Sequence, residues 1–256
     1  SYYNASASSL MYARFDGSSW QVEEVDNGGA SGTYSSIAID PSGNPHISYV
    51  NTTPNPDAVM YAHHNGTAWT IEVIDATPYY AYDTSIDLDS SGSAHITYQV
   101  YNNSCGTCYN LRYSYHNGSE WVYEDIKDYS SNWAYSNTGR NNQIKLNSTD
   151  VPHVVFFDDY YDDVYLSVRV NGSWSSSSVD DYGGIYTIYG ERAISLAIDS
   201  TDGLHVAYYD LGGRFLEYAH RGPGESSWTK TNVHDQGNHY IGTSVSIALD
   251  SADRPH

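Results

Sequence analysis

The sequence predicts an all-β fold, a five-bladed β-propeller of four-stranded antiparallel blades. Three observations predict it. First, an apolar strand ending in Asp or Asn is followed six residues later by a His, five times in all. The copies run from Ser36 to Asp40 and His46, Ser85 to Asp89 and His95, Gln143 to Asn147 and His153, Ser195 to Asp199 and His205, and Ser246 to Asp250 and His256. A period of about fifty residues filled with strands marks a propeller or another repeat array. Second, each unit alternates apolar and polar residues with a period of two and carries Asn-Gly or Ser-Gly turns, the pattern of hairpins. Third, no window shows helical periodicity.

One repeat shows the element order. In Ser36–Asp40 the side chains of Ile37 and Ile39 share one face. A Pro-Ser-Gly-Asn turn leads to a second strand, Pro45–Val50, and a variable loop leads to a third, Val59–His63. The Asn65-Gly66 turn then opens a fourth strand, Trp69–Ile74. Four antiparallel strands make one propeller blade. The Gly turn before a Trp recurs before Trp20, Trp69, Trp121, Trp174 and Trp228, and its Gly supplies positive φ. Each Trp is expected to pack between neighbouring blades. The recurring His46, His95, His153, His205 and His256 are expected to bond a neighbouring turn or Asp, because recurrence points to scaffold. By the same logic Tyr49, Tyr98, Tyr208 and Phe156, three residues after a His, are core.

The chain ends at His256, where other copies continue into their second strand, and begins at Ser1-Tyr2-Tyr3-Asn4, which reads as that continuation. The expected blades are therefore about 34–75, 83–128, 141–180 and 193–235, with a fifth drawn from 244–256 plus 1–26. One domain, 1–256, is expected. The break leaves open whether the fifth blade closes within one chain or between chains.

The net charge of −20, with 11 basic residues, argues against nucleic acid and anionic membranes. No run reaches 18 apolar residues, so no membrane insertion is expected. The chain has neither an initiator Met nor a signal peptide, which reads as a mature or trimmed form. Asn4, Asn51, Asn65, Asn102, Asn117, Asn147 and Asn171 stand in Asn-x-Ser/Thr and are candidate glycosylation sites. They point to an extracellular or cell-surface protein. Cys105 and Cys108 are expected to form a small loop-locking disulfide, which fits export.

No cofactor is expected. Calcium is the one open case, at the acidic runs Asp158–Asp163 and Asp180-Asp181, which lack the spacing of a calcium loop and also read as solvated loops. No nucleophile elbow, phosphate loop or dinucleotide fingerprint occurs. Catalytic residues should stand where the repeat is broken. Asp87 and Lys145 break the inner-strand position held by Ala38, Ala197 and Ala248, and Glu191-Arg192 is another possible pair. One acid and one Lys do not make a two-carboxylate glycosidase site.

The second-to-third and fourth-to-first loops vary, and binding concentrates in variable loops on rigid scaffolds. They carry aromatics: Tyr34, Tyr79, Tyr80, Tyr82, Trp133, Tyr135, Tyr186, Tyr189, His239 and Tyr240. The candidate ligand-binding residues among them are Tyr34, Tyr82, Trp133, Tyr135, Tyr186, Tyr189 and Tyr240. Flat rings beside Asp and Asn suit sugar recognition, and the same composition serves protein contacts or plugs a channel mouth.

The Gly-turn-Trp hairpins resemble degenerate Asp-box hairpins of sialidase-type propellers, a structural likeness that implies no sialidase activity. The repeat unit, Ser-Ile-Ala-Ile-Asp through Gly-Asn-Pro-His-Ile-Ser-Tyr, resembles the repeats of secreted or surface propeller proteins of bacteria and archaea. This resemblance covers the whole chain. It implies the fold rather than the function; the break between His256 and Ser1 motivates the first reading, a non-enzymatic extracellular structural or adhesion module, a subunit of a surface layer or filament assembled from stacked or strand-shared propellers. The expected partners are further copies of itself or surface glycans. The alternative is a glycan-binding lectin using the aromatic loop face, similar in plan to five-bladed invertebrate lectins. The third reading is a glycosidase or lyase, with Asp87 as its candidate.

Overall fold

The computed structural model describes residues 1–53, 57–102, 108–127, 138–158, 163–181, 193–210, 215–234 and 244–256. Among the described residues nineteen strands form five antiparallel sheets, four of four strands and one of three. The chain divides into two compact units, residues 1–135 and 136–256.

The first unit opens with β1 (Tyr2–Asn4), β2 (Ser9–Phe15) and β3 (Trp20–Asp26), the three-stranded sheet. These are the second, third and fourth strands that the repeat assigns to residues 1–26. The next sheet is β4 (Ser31–Ile39), β5 (Pro45–Asn51), β6 (Ala58–His64) and β7 (Trp69–Asp75). The third is β8 (Tyr80–Leu88), β9 (Ala94–Asn102), β10 (Cys108–His116) and β11 (Trp121–Lys127). The second unit holds β12 (Thr138–Leu146), β13 (Pro152–Asp158), β14 (Asp163–Val170) and β15 (Ser173–Asp180). Its other sheet is β16 (Ile194–Ile198), β17 (Leu204–Asp210), β18 (Phe215–Arg221) and β19 (Thr229–His234). Residues 246–256, the expected inner strand and turn of the shared blade, form a hairpin closed by two Ala248–His256 backbone bonds of 3.1 and 2.8 Å.

Each recurring residue has a scaffold task. The Ser of the inner strand, or Gln143 in its place, accepts a backbone N–H from the next inner strand. Ser36 takes Ile86 at 3.3 Å, Gln143 takes Leu196 at 2.7 Å and Ser195 takes Ile247 at 3.1 Å. Asp40, Asp89, Asn147, Asp199 and Asp250 accept the N–H groups two and four residues on, which closes the first turn. That turn needs one residue with positive φ. Gly43 and Gly92 supply it in the first unit, and Asp150, Asp202 and Asp253 in the second. The Asp choice adds a contact: Asp202 accepts from Ser148 N and Oγ at 2.8 and 2.7 Å, and Asp253 accepts likewise from Ser200.

The cores lie between adjacent sheets. Tyr49, Tyr98, Phe156 and Tyr208 are fully buried, as the repeat predicts. Trp69 packs edge-on against Tyr12 at 5.6 Å and Trp121 against Tyr61 at 5.2 Å, so these two bridge sheets. Trp228 packs against the core of the second unit. Trp20 departs from the expectation: it is 67% exposed and touches Phe15 of its own sheet. Within the first unit β4 faces a sheet that lacks an inner strand, and Ile37 stands 38% exposed where its counterpart Ile86 is buried.

Candidate functional site

The last residue of the outermost strand joins one sheet to the next. Asp26 accepts the hydroxyl of Tyr49 at 2.7 Å, Asp75 that of Tyr98 at 3.1 Å and Asp180 that of Tyr208 at 2.9 Å. The residue opposite each Tyr on the third strand is not repeated: Met60, Arg112, Tyr165 and Glu217. This one position sets what the joint can do. In the first unit Arg112 bonds both Asp75 and Asp125, at 2.9 and 2.8 Å, which makes a closed ion network.

In the second unit the same position gathers acids. The carboxylate oxygens of Asp180, Asp210 and Glu217 lie within 4.8 Å of one another. These residues are 6, 4 and 9% exposed. They come from the ends of β15 and β17 and from β18, so the set stands at the end of the sheets where the variable loops leave. Lys230 on β19 donates to Asp180. Burial pushes the Glu217 carboxyl up, the neighbouring Asp180 charge adds to the rise, and Lys230 partly offsets it. Burial works to lower Lys230, but its bond to Asp180 together with the charges of Asp180, Glu217 and Asp210 raises it. Tyr208 is pushed up by burial and by the Asp180 charge. The arrangement thus holds one carboxyl biased toward its protonated form beside carboxylates with a resident cation. That division of roles is what acid–base chemistry on a glycosidic bond uses. The ammonium of Lys230 already supplies the counter-charge a metal would bring. Asp180 is buried and hydrogen-bonded, which corrects the expectation of a solvated Asp180-Asp181 loop. Asp158 and Asp163 pair across β13 and β14, and both are buried.

The first unit carries an aromatic platform at its own variable-loop end. Tyr34 meets Tyr82 at 5.5 Å, Tyr79 meets Tyr80 at 4.7 Å, and Tyr101 meets Tyr80 at 5.9 Å and Tyr109 at 5.1 Å. Tyr34, Tyr79 and Tyr80 are exposed. Asp57 accepts the Ala81 N–H at 3.1 Å, and burial pushes its carboxyl up. Burial, then the neighbouring Tyr109 and Tyr34, pushes Tyr82 up to about 12.

The structure places the other sequence candidates as follows. Asp87 lies on β8 opposite His95, and Lys145 on β12 opposite His153, in different compact units. Trp133, Tyr135, Tyr186, Tyr189, His239 and Tyr240, the Glu191-Arg192 pair, and Cys105 of the expected disulfide lie outside the described residues; Cys108 opens β10. Asn65, Asn117 and Asn171 stand on exposed turns, whereas Asn51 is buried with its amide directed to Gly28 O. Sequence reasoning missed Asp210 and Glu217. A comparison of third strands carried a signal, since Glu217 replaces Met60 and Arg112 at one position of the repeat.

No family model matches the chain, and no curated protein matches it. Solved structures do. The GH93 α-L-arabinofuranosidase of Fusarium graminearum is 13% identical with a TM-score of 0.60, over 94% of this chain and 76% of that one. The α-L-arabinanase of Penicillium chrysogenum is 13% identical with a TM-score of 0.56, over 80% and 67%. The Hadza microbial sialidase Hz136 is 11% identical with a TM-score of 0.57, over 94% of this chain and 57% of that one. Together with the repeated sheets, these likenesses give the fold class as an all-β, five-bladed β-propeller. They also correct the functional expectation. The similar structures are named mostly as glycosidases, which overturns the reading of a non-enzymatic structural module or filament subunit and the expectation of no enzyme. The expectation of no enzyme rested on finding no two-carboxylate set in the sequence, and the acidic set appears only once strand ends remote in sequence are brought together.

Proposed function

We propose that this chain is a secreted glycoside hydrolase acting on neutral glycans. The observation that carries the reading is the Asp180–Asp210–Glu217 set, with Glu217 raised by burial and Asp180 bonded to Lys230 and Tyr208. Glu217 is the proton donor to the leaving oxygen, and Asp210 or Asp180 faces the anomeric carbon. Their separation is closer to the roughly 5 Å of retaining enzymes than to the wider gap that admits a water in inverting ones. The net charge of −20 disfavours a polyanionic substrate. Arabinofuranosides are the first substrates to try, because similar folds are named for them.

The tyrosine platform supports glycan binding as part of the same reading. Rings that stack on a sugar face next to an Asp are its recognition chemistry. The sequons support secretion.

The test is hydrolysis of 4-nitrophenyl glycosides, arabinan and galactan. Activity that falls about 100- to 10,000-fold in Glu217→Gln, with the fold intact by circular dichroism, is the expected result. No release from any substrate, or release unchanged by the substitution, overturns the proposal.

A further inference from the structure

The recurring His and its Asp form a scaffold contact, and in one sheet that contact gains a third member. His205 Nε2 lies 3.2 Å from Asp199 Oδ2. Directly across the ladder on β18 stands His220, whose ring centroid is 4.6 Å from that of His205. One ligand atom from each of Asp199, His205 and His220 falls within 4.8 Å of the other two. The equivalent place on the other third strands is His63, Tyr115 or Val168. Recurrence explains Asp199 and His205, whereas the third-strand place holds a His in two of these four sheets, as His63 and His220.

The remaining atoms of the trio are committed in a way that leaves one face open. Asp199 Oδ1 accepts from Thr201 N and Oγ1 and from Gly203 N, at 2.7–2.8 Å, which leaves Oδ2 turned to the imidazoles, with His205 Nε2 as its partner. His205 Nδ1 bonds the Tyr218 hydroxyl at 2.6 Å, which fixes the ring and directs Nε2 at Asp199. This is the outer partner that metal-bound imidazoles use: in the tautomer with Nδ1–H donating to Tyr218, Nε2 offers its lone pair to a cation in place of the Asp199 contact. His220 makes no hydrogen bond among the described residues. His205 is buried, while Asp199 and His220 are half-buried, so the site opens to solvent on one side. Hydrogen bonds from Gly203, Thr201 and His205 hold the Asp199 carboxyl down to about 2 against the effect of burial.

The geometry points to a divalent-cation site of the zinc type at Asp199, His205 and His220, with a fourth position left for water or a ligand. Two imidazoles and a carboxylate select zinc, nickel or copper over calcium and magnesium. The contrast with β4–β7 sharpens the assignment. There the His46–Asp40 contact lengthens to 3.7 Å, the two His rings part to 5.8 Å, and His63 turns toward Glu72 at 3.8 Å. This site is independent of the hydrolase reading, and neither stands on the other.

Calorimetric titration of the chelator-treated protein with zinc chloride at pH 7.5 tests it. One zinc per chain with micromolar or tighter affinity is expected, weakened at least tenfold at pH 5.5, where protons compete for the imidazoles. His220→Ala is expected to weaken binding at least tenfold, and so is His220→Tyr, which installs the residue found at this place as Tyr115 and so guards against misfolding. His63→Ala is expected to bind as the parent does. Absence of binding, binding unchanged by both His220 variants, or equal loss in His63→Ala overturns the assignment.

Discussion

The hydroxyl of Tyr208 donates to Asp180 at 2.9 Å, and the same bond joins Tyr49 to Asp26 and Tyr98 to Asp75. A scaffold bond that repeats between sheets becomes, beside Glu217 and Asp210, part of a chemically loaded site. What changes from joint to joint is the residue opposite the Tyr.

The joints differ in what their Asp supports. Asp75 is fully buried and pairs with Arg112, itself largely buried, whereas Asp26 has no cation partner among the described residues. Asp75→Ala takes one of its two carboxylates from Arg112 and the acceptor from the buried Tyr98 hydroxyl, and should cost about 3 kcal/mol. Asp26→Ala removes the acceptor of the Tyr49 hydroxyl and of the Gly28 N–H without breaking an ion pair, and should cost about 1–2 kcal/mol. Urea midpoints of the two variants check the order.

Glu217 carries a stability signature of its own. Its folded carboxyl is raised above the ordinary 4.5, so the folded state loses stability as pH rises from that value through the raised one. Glu217→Gln has no such loss. The variant should be more stable than the parent at pH 7, and the gap should close below pH 4.5 while hydrolysis stays about 100- to 10,000-fold below the parent's. Denaturant unfolding at pH 4 and pH 7 measures both arms, and a variant less stable at pH 7 contradicts the burial argument.

Two tryptophans at equivalent places should respond differently to Phe. Trp121 Nε1 donates to Glu72 at 2.9 Å, while Trp69 Nε1 is buried with no partner among the described residues. Both substitutions remove similar apolar area. Trp121→Phe should therefore cost about 1 kcal/mol more than Trp69→Phe, read from thermal or urea unfolding.

The Asp residues with positive φ do more than permit a turn. Asp202→Gly keeps the backbone conformation but releases Ser148, and should lower Tm by about 2 °C. Asp202→Asn keeps both the conformation and an acceptor and should fall between Gly and the parent. Scanning calorimetry separates the three.

Repetition made the scaffold legible from the sequence alone. A hydrogen bond from Ser195 to the next inner strand, or the turn closed by Asp199, uses residues a few positions apart or one full period apart. Each recurrence samples the same local chemistry again, so the strand order, the turns and the buried Tyr49, Tyr98 and Tyr208 could be read directly. The aromatic face was partly legible, because Tyr34, Tyr79, Tyr80 and Tyr82 cluster in sequence as well as in space. Asp180, Asp210 and Glu217 were not, since they come from three strand ends and match no spacing rule. Only the register of β17 on β18, and the packing of β15 against them, brings their oxygens within reach. His220 joins Asp199 and His205 for the same reason. Local periodicity fixes which face of a strand is buried, but the meeting of single unrepeated side chains is set by how neighbouring sheets pack.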